Sequence, residues 1–592
     1  MLQETETIVA ADGVTDPSPA ETPDRSTRLL ALFIAVLIVA GLYLRSDLLF
    51  HFPVNQDECC YLNGVHVYQR GEPIVPFQSL HVHFFSWLAT VSHNEVTQIM
   101  RGREVMSLLF LGACTFLFLL GRHLMGLVPS LFILLCYLSF QFTIVHAAEF
   151  RSDTPAMFLS MLALYLFMAK KGSWLAQAAA GLAMAVACLF TIKAGLYLGL
   201  LTLLLLIRLR ASSNRGGDLR NTGWFAAFFV LAAVGVYMLH AATLADFEPV
   251  RQAGFLPRAF STFLLPRRII WGREFLLLTL RSDSIVWLLV ALGVVACVVD
   301  LLGRKCHFRE RTACLLGMSF PLLSILFYRN TFPYYYAFMM PPVALLCGYA
   351  FSRLLLTIRP LDRRLASVVV VILSLGVFAQ NYGLRYYLLF KEWPVTANQH
   401  GLLADIHKIF PKPVGYLDCP QMVASFPHAG FWMGSKSIEL YLQAGVPVLK
   451  EMLSEKKPVF LLANAGYLNL DSARPPVVQG GLTLLDEDWR ALKSHFIHHY
   501  GPIWVAGKQF DFGAEHTFHS FDIAAAGRYT LEAGADVSID GAACHNGDVI
   551  ELEEGRHTIE AKPAAGGVKL RWGDHLHCPA EPYSGLPVFL SN

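Results

Sequence analysis

The amino-acid sequence predicts an α-helical polytopic membrane protein of about eleven transmembrane helices, followed by an α/β unit and a small β-sandwich. Composition carries the first part of that expectation. Of 592 residues, 55% are hydrophobic and only 16% charged, and the mean hydropathy is +0.46. Soluble domains carry about a quarter charged residues. Apolar runs near bilayer length carry the helix number, and a change to soluble composition after Tyr382 carries the rest. The net charge of +2 argues against a nucleic-acid partner and leaves electrostatic recognition to local patches.

Residues 1–27 are polar, rich in Asp, Glu, Thr and Pro, and aperiodic, which predicts a disordered cytoplasmic tail. The tail is too long and acidic for a signal-peptide n-region, so the run Leu29–Leu44 is expected to be a retained helix. Further runs lie at roughly 105–121, 127–147, 154–169, 174–191, 194–207, 224–244, 285–302, 312–327, 336–355 and 365–380. Three short loops are basic: Arg208, Arg210, Arg215 and Arg220; Arg304, Lys305, Arg309 and Arg311; Arg353, Arg359, Arg363 and Arg364. Alternation of the helices puts all three on one face with Lys170, Lys171 and the N-terminal tail, and the positive-inside rule makes that face cytoplasmic.

The opposite face then receives the loops 45–104, 148–153, 245–284 and 328–335, and an odd helix number places the C-terminal third there too. Loop 245–284 breaks the charge rule with Arg251, Arg258, Arg267, Arg268, Arg273 and Arg281, which suits an anionic ligand. Beyond the membrane part at 28–390, Pro413–Leu417 and Pro458–Leu462 predict buried strands in an extracytoplasmic α/β unit over 391–508. Alternating stretches at 528–532, 536–539, 549–552, 557–560 and 568–572, with turns at Asp540-Gly541 and Asn546-Gly547, predict an extracytoplasmic β-sandwich over 509–592.

Candidate chemistry gathers at the outer helix ends. Asp57-Glu58 lies just beyond the first helix, where a carboxylate can deprotonate a hydroxyl, ligate a metal or merely solvate a helix end. Glu149-Phe150-Arg151-Ser152-Asp153-Thr154-Pro155 joins two helices; Asp153 suits an N-cap with Pro155 in the first turn, which leaves Glu149 and Arg151 unexplained. Lys193 either snorkels to the interface or meets a phosphate. Arg329 precedes Tyr334, Tyr335 and Tyr336; tyrosines form interfacial belts, whereas Arg329 suits a headgroup phosphate. His81 and His83 lack a third well-placed ligand, and no Cys/His spacing for zinc occurs, so no metal is expected. Of the twelve cysteines most lie in apolar runs, while Cys544 and Cys578 could pair in an oxidising compartment.

On these residues the chain resembles the GT-C superfamily of polytopic glycosyltransferases, in particular protein O-mannosyltransferases and bacterial lipid A aminoarabinose transferases. The likeness covers roughly residues 28–390. It runs through Asp57-Glu58-Cys59-Cys60-Tyr61 (the family's Asp-Glu-x-x-Tyr), Arg101 and Arg103, Gly121-Arg122 with Gly126, Arg151-Ser152-Asp153, Thr191-Ile192-Lys193, and tyrosines followed by Pro341-Pro342. The resemblance implies inverting transfer of a sugar from a polyprenyl-phosphate donor to a lipid, glycan or protein acceptor, in a bacterial inner or plasma membrane. Asp57 would be the base and Glu58 its support. Tyr61 and Tyr335 or Tyr336 would hold the lipid phosphate, helped by Arg267 or Arg268, with no nucleotide or metal cofactor. Where relatives often carry Lys or His before two prolines, this chain has Leu80-His81-Val82-His83.

Two other classes compete with an enzyme. A transporter or flippase for lipid-linked glycans would place acids near the midplane and show matching halves, and neither is visible. A non-catalytic assembly protein would bind glycan without needing Asp57.

Overall fold

The computed structural model describes residues 25–212, 214–244, 272–303, 309–328, 330–358, 360, 362–383, 393–512, 517–561 and 566–589. Its membrane part comprises α1 (Arg25–His51), α2 (Gln56–Gln69), α3 (His81–Phe85), α4 (Glu95–Met125), α5 (Leu127–Ser139), α6 (Gln141–His146), α7 (Asp153–Ala169), α8 (Trp174–Phe190) and α9 (Gly195–Ala211). It continues with α10 (Arg215–Ala242), α11 (Arg273–Ser282), α12 (Ser284–Leu302), α13 (Arg309–Gly317), α14 (Pro333–Ile358) and α15 (Arg363–Tyr382). Among the described residues, seven helical segments are long and apolar enough to cross a membrane, and α5, α7 and α8 are shorter apolar helices.

Two of the expected runs are broken, each for a visible reason. Run 127–147 stops at Phe140, whose backbone is extended (φ −67°, ψ 127°), and resumes as α6. The freed backbone groups find side-chain partners in Asp283, at the junction of α11 and α12, and Asn381 of α15. Asp283 Oδ1 accepts from Gln141 N (2.9 Å), and Asn381 Nδ2 donates to Ser139 O (2.7 Å) and to Asp283 Oδ1 (2.6 Å). Irregular backbone at membrane depth requires such repair. Run 312–327 divides into α13 and a 3-10 turn over Phe320–Leu326, with Pro321 unable to donate to a continuing helix.

Helix contacts use small residues where backbones meet. A Cβ at Gly181 of α8 would lie 2.2 Å from the Phe225 carbonyl oxygen of α10, and one at Gly293 of α12 would lie 2.3 Å from that of Leu346 in α14. Apolar side chains such as Leu32, Val39, Leu108, Leu239 and Leu302 face outward, as lipid contact requires.

Beyond residue 393 come α16 (Trp393–Ile409), β1 (Tyr416–Leu417), α17 (Ser435–Ala444), α18 (Leu449–Lys456), β2 (Phe460–Leu462), α19 (Asp486–His495), β3 (Phe496–Tyr500) and β4 (Ile503–Phe512). Then follow β5 (Phe518–Ile523), β6 (Gly527–Ala533), β7 (Val537–Ile539), β8 (Ala542–Cys544), β9 (Val549–Leu552), β10 (Gly555–Ala561) and β11 (Gly566–Trp572). One sheet runs β1-β2-β4-β11-β6-β9 with β3 also beside β4, and a second runs β5-β10-β7-β8. The division expected at 508/509 falls inside β4, which pairs with β2 and β3 through its first half and with β11 through its second. Asp540 and Gly541, both at positive φ, turn β7 into β8 as expected of an Asp-Gly hairpin. Cys544 and Cys578 are free thiols.

A single apolar cluster joins this C-terminal part to α2. Val54, Cys59, Leu62 and Val65 pack with Leu403, Tyr416, Val423 and Phe460. Polar contacts seal the same seam: Asn63 Nδ2 donates to Gln421 Oε1 (2.9 Å), Arg70 Nη1 to Ala424 O (2.9 Å), and Ser425 Oγ to the buried Glu95 (2.6 Å). The C-terminal part therefore stands on the same face as Asp57.

Candidate active site

Helix α2 lies between α1 and α4 in sequence and carries both acids in its first turn. Asn55 caps it: the side chain accepts from Glu58 N (3.0 Å) while Glu58 Oε2 accepts from Asn55 N (3.1 Å). This capping box satisfies two otherwise orphaned N–H groups and fixes the direction in which the turn leaves the chain. Successive residues on a helix point about 100° apart, so Asp57 and Glu58 meet different surroundings.

Glu58 is fully buried and clamped. Arg103 of α4 grips it with Nε to Oε1 (2.7 Å) and Nη2 to Oε2 (2.5 Å), and Phe150 N donates to Oε1 (2.8 Å). Arg103 also donates to the carbonyl oxygens of Leu49 (3.1 Å), Phe52 (2.7 Å) and Pro53 (3.0 Å), the link between α1 and α2. Each Glu58 oxygen thus receives two N–H groups, which leaves neither free for a reacting hydroxyl. The pair ties α1, α2, α4 and the 147–152 loop together.

Asp57 is different. Its side chain is 26% exposed, and its Oδ2 accepts from Arg151 Nη1. Arg151 Nε lies 3.5 Å from Asp153 Oδ2, and that same oxygen accepts from Lys193 Nζ at 2.6 Å. Acid, base, acid and base therefore alternate in one line, Asp57–Arg151–Asp153–Lys193, with no net charge. The Tyr334 ring covers its middle, 3.5 Å from Arg151 Cζ and 4.2 Å from Lys193 Nζ. Burial works against the Arg151 charge, but Asp57 foremost holds its pKa well above the ordinary value, so the guanidinium stays a cation. Arg151 Nε and Asp153 Oδ1 are buried without a hydrogen-bond partner among the described residues, the kind of unsatisfied polar atom that calls for an explanation.

Tyr61, one turn after Asp57, accepts at its hydroxyl from Ser152 Oγ (3.0 Å) and sits edge-on to His81 at 5.1 Å. Burial raises the Tyr61 phenol pKa, lifts the Cys60 thiol to about 12 and lowers His81 to about 4. All three are therefore neutral near pH 7. His83 Nε2 meets His240 Nδ1 (2.7 Å), and His240 Nε2 meets Ser79 Oγ (2.9 Å). Among the described residues, no three or more His, Cys, Asp or Glu side chains converge as a metal site.

Of the residues singled out from sequence, the structure gathers Asp57, Tyr61, Arg151, Asp153 and Lys193 around one point, with Glu58 directly behind it. Tyr335 and Tyr336 are turned into the core. Tyr335 shares a hydrogen bond with Ser324, and the Tyr336 hydroxyl has no partner among the described residues. Tyr334, not singled out as a ligand, is the tyrosine that faces the charged line. Arg267, Arg268 and Arg329 lie outside the described residues. Arg103 stands in the sequence beside Arg101 with nothing to mark it as the partner of Glu58; Arg101 itself pairs with Glu104 on the surface.

No protein-family model and no curated protein sequence matches the chain. Solved structures do. ArnT from Cupriavidus metallidurans, bound to undecaprenyl phosphate, is similar over 73% of this chain and 93% of its own, with 14% identity and a TM-score of 0.50. The oligosaccharyltransferase of Archaeoglobus fulgidus in its apo form is similar over 93% of this chain and 98% of its own, with 9% identity and a TM-score of 0.53. The same archaeal enzyme, AglB, in complex with an inhibitory peptide and a dolichol-phosphate, is similar over 94% and 98%, with 10% identity and a TM-score of 0.50. Identities this low speak to architecture. The chain has the polytopic membrane fold of these solved structures, completed by a C-terminal strand-rich part.

Proposed function

We infer that this protein is an integral membrane glycosyltransferase that moves a sugar from a polyprenyl-phosphate donor to a hydroxyl or phosphate of a lipid, glycan or protein acceptor. The observation that carries this reading is the difference between the two acids: Glu58 is fully bonded, whereas Asp57 is part-exposed at the head of a charged line. Binding of undecaprenyl phosphate by ArnT and of dolichol-phosphate by AglB supports a donor of that class here.

Asp57 takes the proton from the acceptor as its oxygen attacks the anomeric carbon. The bond from that carbon to the phosphate oxygen breaks on the opposite side, so configuration inverts and the electron pair leaves with the polyprenyl phosphate. Such a leaving group needs positive charge more than a proton, and preorganised cations provide it without reorganisation. Arg151 and Lys193, with Tyr334 over them, are the nearest candidates, and Arg267, Arg268 and Arg329 are proposed to complete the phosphate contacts. Tyr61 borders the same space. Glu58 acts by holding α2 so that Asp57 faces outward. In this reading the site and the C-terminal part (the proposed units 391–508 and 509–592) face the extracytoplasmic side of a bacterial inner or plasma membrane.

The test incubates the full chain in nanodiscs with a panel of synthetic polyprenyl-phosphate sugars and measures release of polyprenyl phosphate by mass spectrometry. Release from at least one donor, stimulated by an acceptor extract, is expected. Movement of intact donor across the bilayer of sealed proteoliposomes without release would replace the enzyme by a transporter. With an active donor in hand, Arg267→Ala/Arg268→Ala should raise the donor KM more than it lowers kcat.

A further inference from the structure

On the face opposite Asp57, the ends of α4, α7 and α9 and the first turn of α13 surround a cavity of about 370 Å³. This lies within the range of about 300–1,000 Å³ common for small-ligand sites. His123, Lys171, Arg208, Glu310 and Arg311 line it together with Leu124, Met168, Ala169 and Cys314. Three permanent cations therefore meet one carboxylate against an apolar wall.

The most buried of them is Arg208, at 5% exposure. Its Nη2 donates to the Phe167 carbonyl oxygen and reaches Met168 Sδ (3.8 Å), and its Cζ lies 4.3 Å over the Phe167 ring. No other hydrogen bond from Arg208 is found among the described residues, so further N–H groups are left for a ligand. Glu310 is held loosely by Lys171 (3.6 Å) with both side chains more than a third exposed. Arg311 has no carboxylate partner among the described residues.

Basic residues at helix C-termini commonly offset the helix dipole, about half a charge per helix. Here Arg122 in the last turn of α4, Lys170 capping α7 and Arg210 in the last turn of α9 already do so, and none of them lines the cavity. The lining cations exceed that need. A rim of guanidinium and ammonium groups beside Leu124 and Met168 matches a phosphate ester with its carbon chain laid against the apolar side, and basic clefts between membrane helices recognise such groups.

We propose that this cavity is a phosphate-binding site, separate from the Asp57 cluster, in which Arg208, Lys171 and Arg311 hold the anion. The proposal is independent of the glycosyltransferase reading. The phosphate belongs either to a phospholipid headgroup of the surrounding leaflet or to a free phosphate.

The test titrates the full chain, purified in neutral detergent, with short-chain phosphatidylglycerol and separately with inorganic phosphate. Binding is read as a dissociation constant by thermophoresis. Tighter binding of phosphatidylglycerol identifies a headgroup site; equal binding of inorganic phosphate identifies a free-phosphate site. In either case Lys171→Ala/Arg311→Ala, both exposed and safe for folding, weakens binding roughly 30-fold, as expected for two basic residues beside an anionic headgroup. Glu310→Gln, which removes the one carboxylate of the lining, tightens it. The control Arg363→Ala/Arg364→Ala removes two exposed arginines from the same face and leaves binding unchanged. An equal loss in the control, no loss in the Lys171/Arg311 variant, or no saturable binding of either probe would overturn the proposal.

Discussion

Replacing Glu58 by glutamine separates a structural acid from a catalytic one. The carboxylate receives four N–H groups, two on each oxygen: Arg103 Nε and Phe150 N on Oε1, and Arg103 Nη2 and Asn55 N on Oε2. Glutamine keeps the shape and one acceptor oxygen, but its NH2 faces two donors, so two buried N–H groups lose their partner and the Arg103 charge loses its counterion. Unsatisfied buried groups cost about 1–3 kcal/mol each, and breaking a buried ion pair by removing one partner about 3–5 kcal/mol. The two estimates overlap, and a loss of about 4 kcal/mol is a large fraction of the marginal stability typical of a folded domain. We expect Glu58→Gln to lower the apparent Tm and the folded yield of the full chain in nanodiscs, whereas Asp57→Asn, at a carboxylate 26% exposed to solvent, lowers both by much less. Arg103→Met should do at least as much damage as Glu58→Gln, because it also strands the carbonyl oxygens of Leu49, Phe52 and Pro53. If Glu58→Gln melted with the wild type and lost sugar transfer, the clamp reading would be wrong and Glu58 would act directly in the chemistry.

Lys193→Met leaves Asp153 buried with only the 3.5 Å Arg151 contact, and should lower Tm in keeping with a cost of about 3–5 kcal/mol. Asp153→Asn/Lys193→Met removes both charges and should recover most of that stability, measured as a double-mutant cycle; additive losses would mean that the two side chains do not depend on one another. Tyr334→Phe keeps the ring under Arg151 and should retain kcat/KM, while Tyr334→Leu removes a cation–π contact of about 0.5–2 kcal/mol and should lower it up to about 30-fold. Equal activity of the two variants would refute the stacking role. His495 is buried with its pKa lowered to about 4, against about 6.5 in an unfolded chain. The unfolded state therefore binds the proton first on acidification: the stabilisation is complete above pH 6.5 and falls by roughly 3 kcal/mol as the pH drops to about 4. His495→Gln should flatten Tm against pH over that window, and an unchanged slope would show that another group controls it.

The membrane helices were legible because a bilayer demands long apolar runs, and the runs stand out in the sequence. The breaks at Phe140 and around Pro321 were harder to see. The first depends on Asp283 and Asn381, more than a hundred residues away, accepting and donating where the helix stops. The strands at 528–532 and 568–572 were legible from alternation, but alternation does not reveal which sheet a strand joins, so the β4 bridge across residue 508 was missed. The site was legible as a set of residues on one face and not as an arrangement. Glu58 and Asp57 look equivalent as neighbours, and only the turn of α2 and the position of Arg103, 45 residues on, make one a clamp. The same rotation decides the tyrosines: Tyr334 meets the charged line while Tyr335 and Tyr336, expected as ligands, turn inward.

The most direct test of the account is sugar transfer by Asp57→Asn, with an active donor and acceptor, alongside the wild type. Asparagine preserves size and can still accept from Arg151, but it cannot take up a proton. The expected outcome is a folded, membrane-inserted protein that melts well above Glu58→Gln, with near-normal donor binding and kcat reduced at least about 100-fold, the lower end of general-base contributions. Transfer at the wild-type rate in that variant would contradict it.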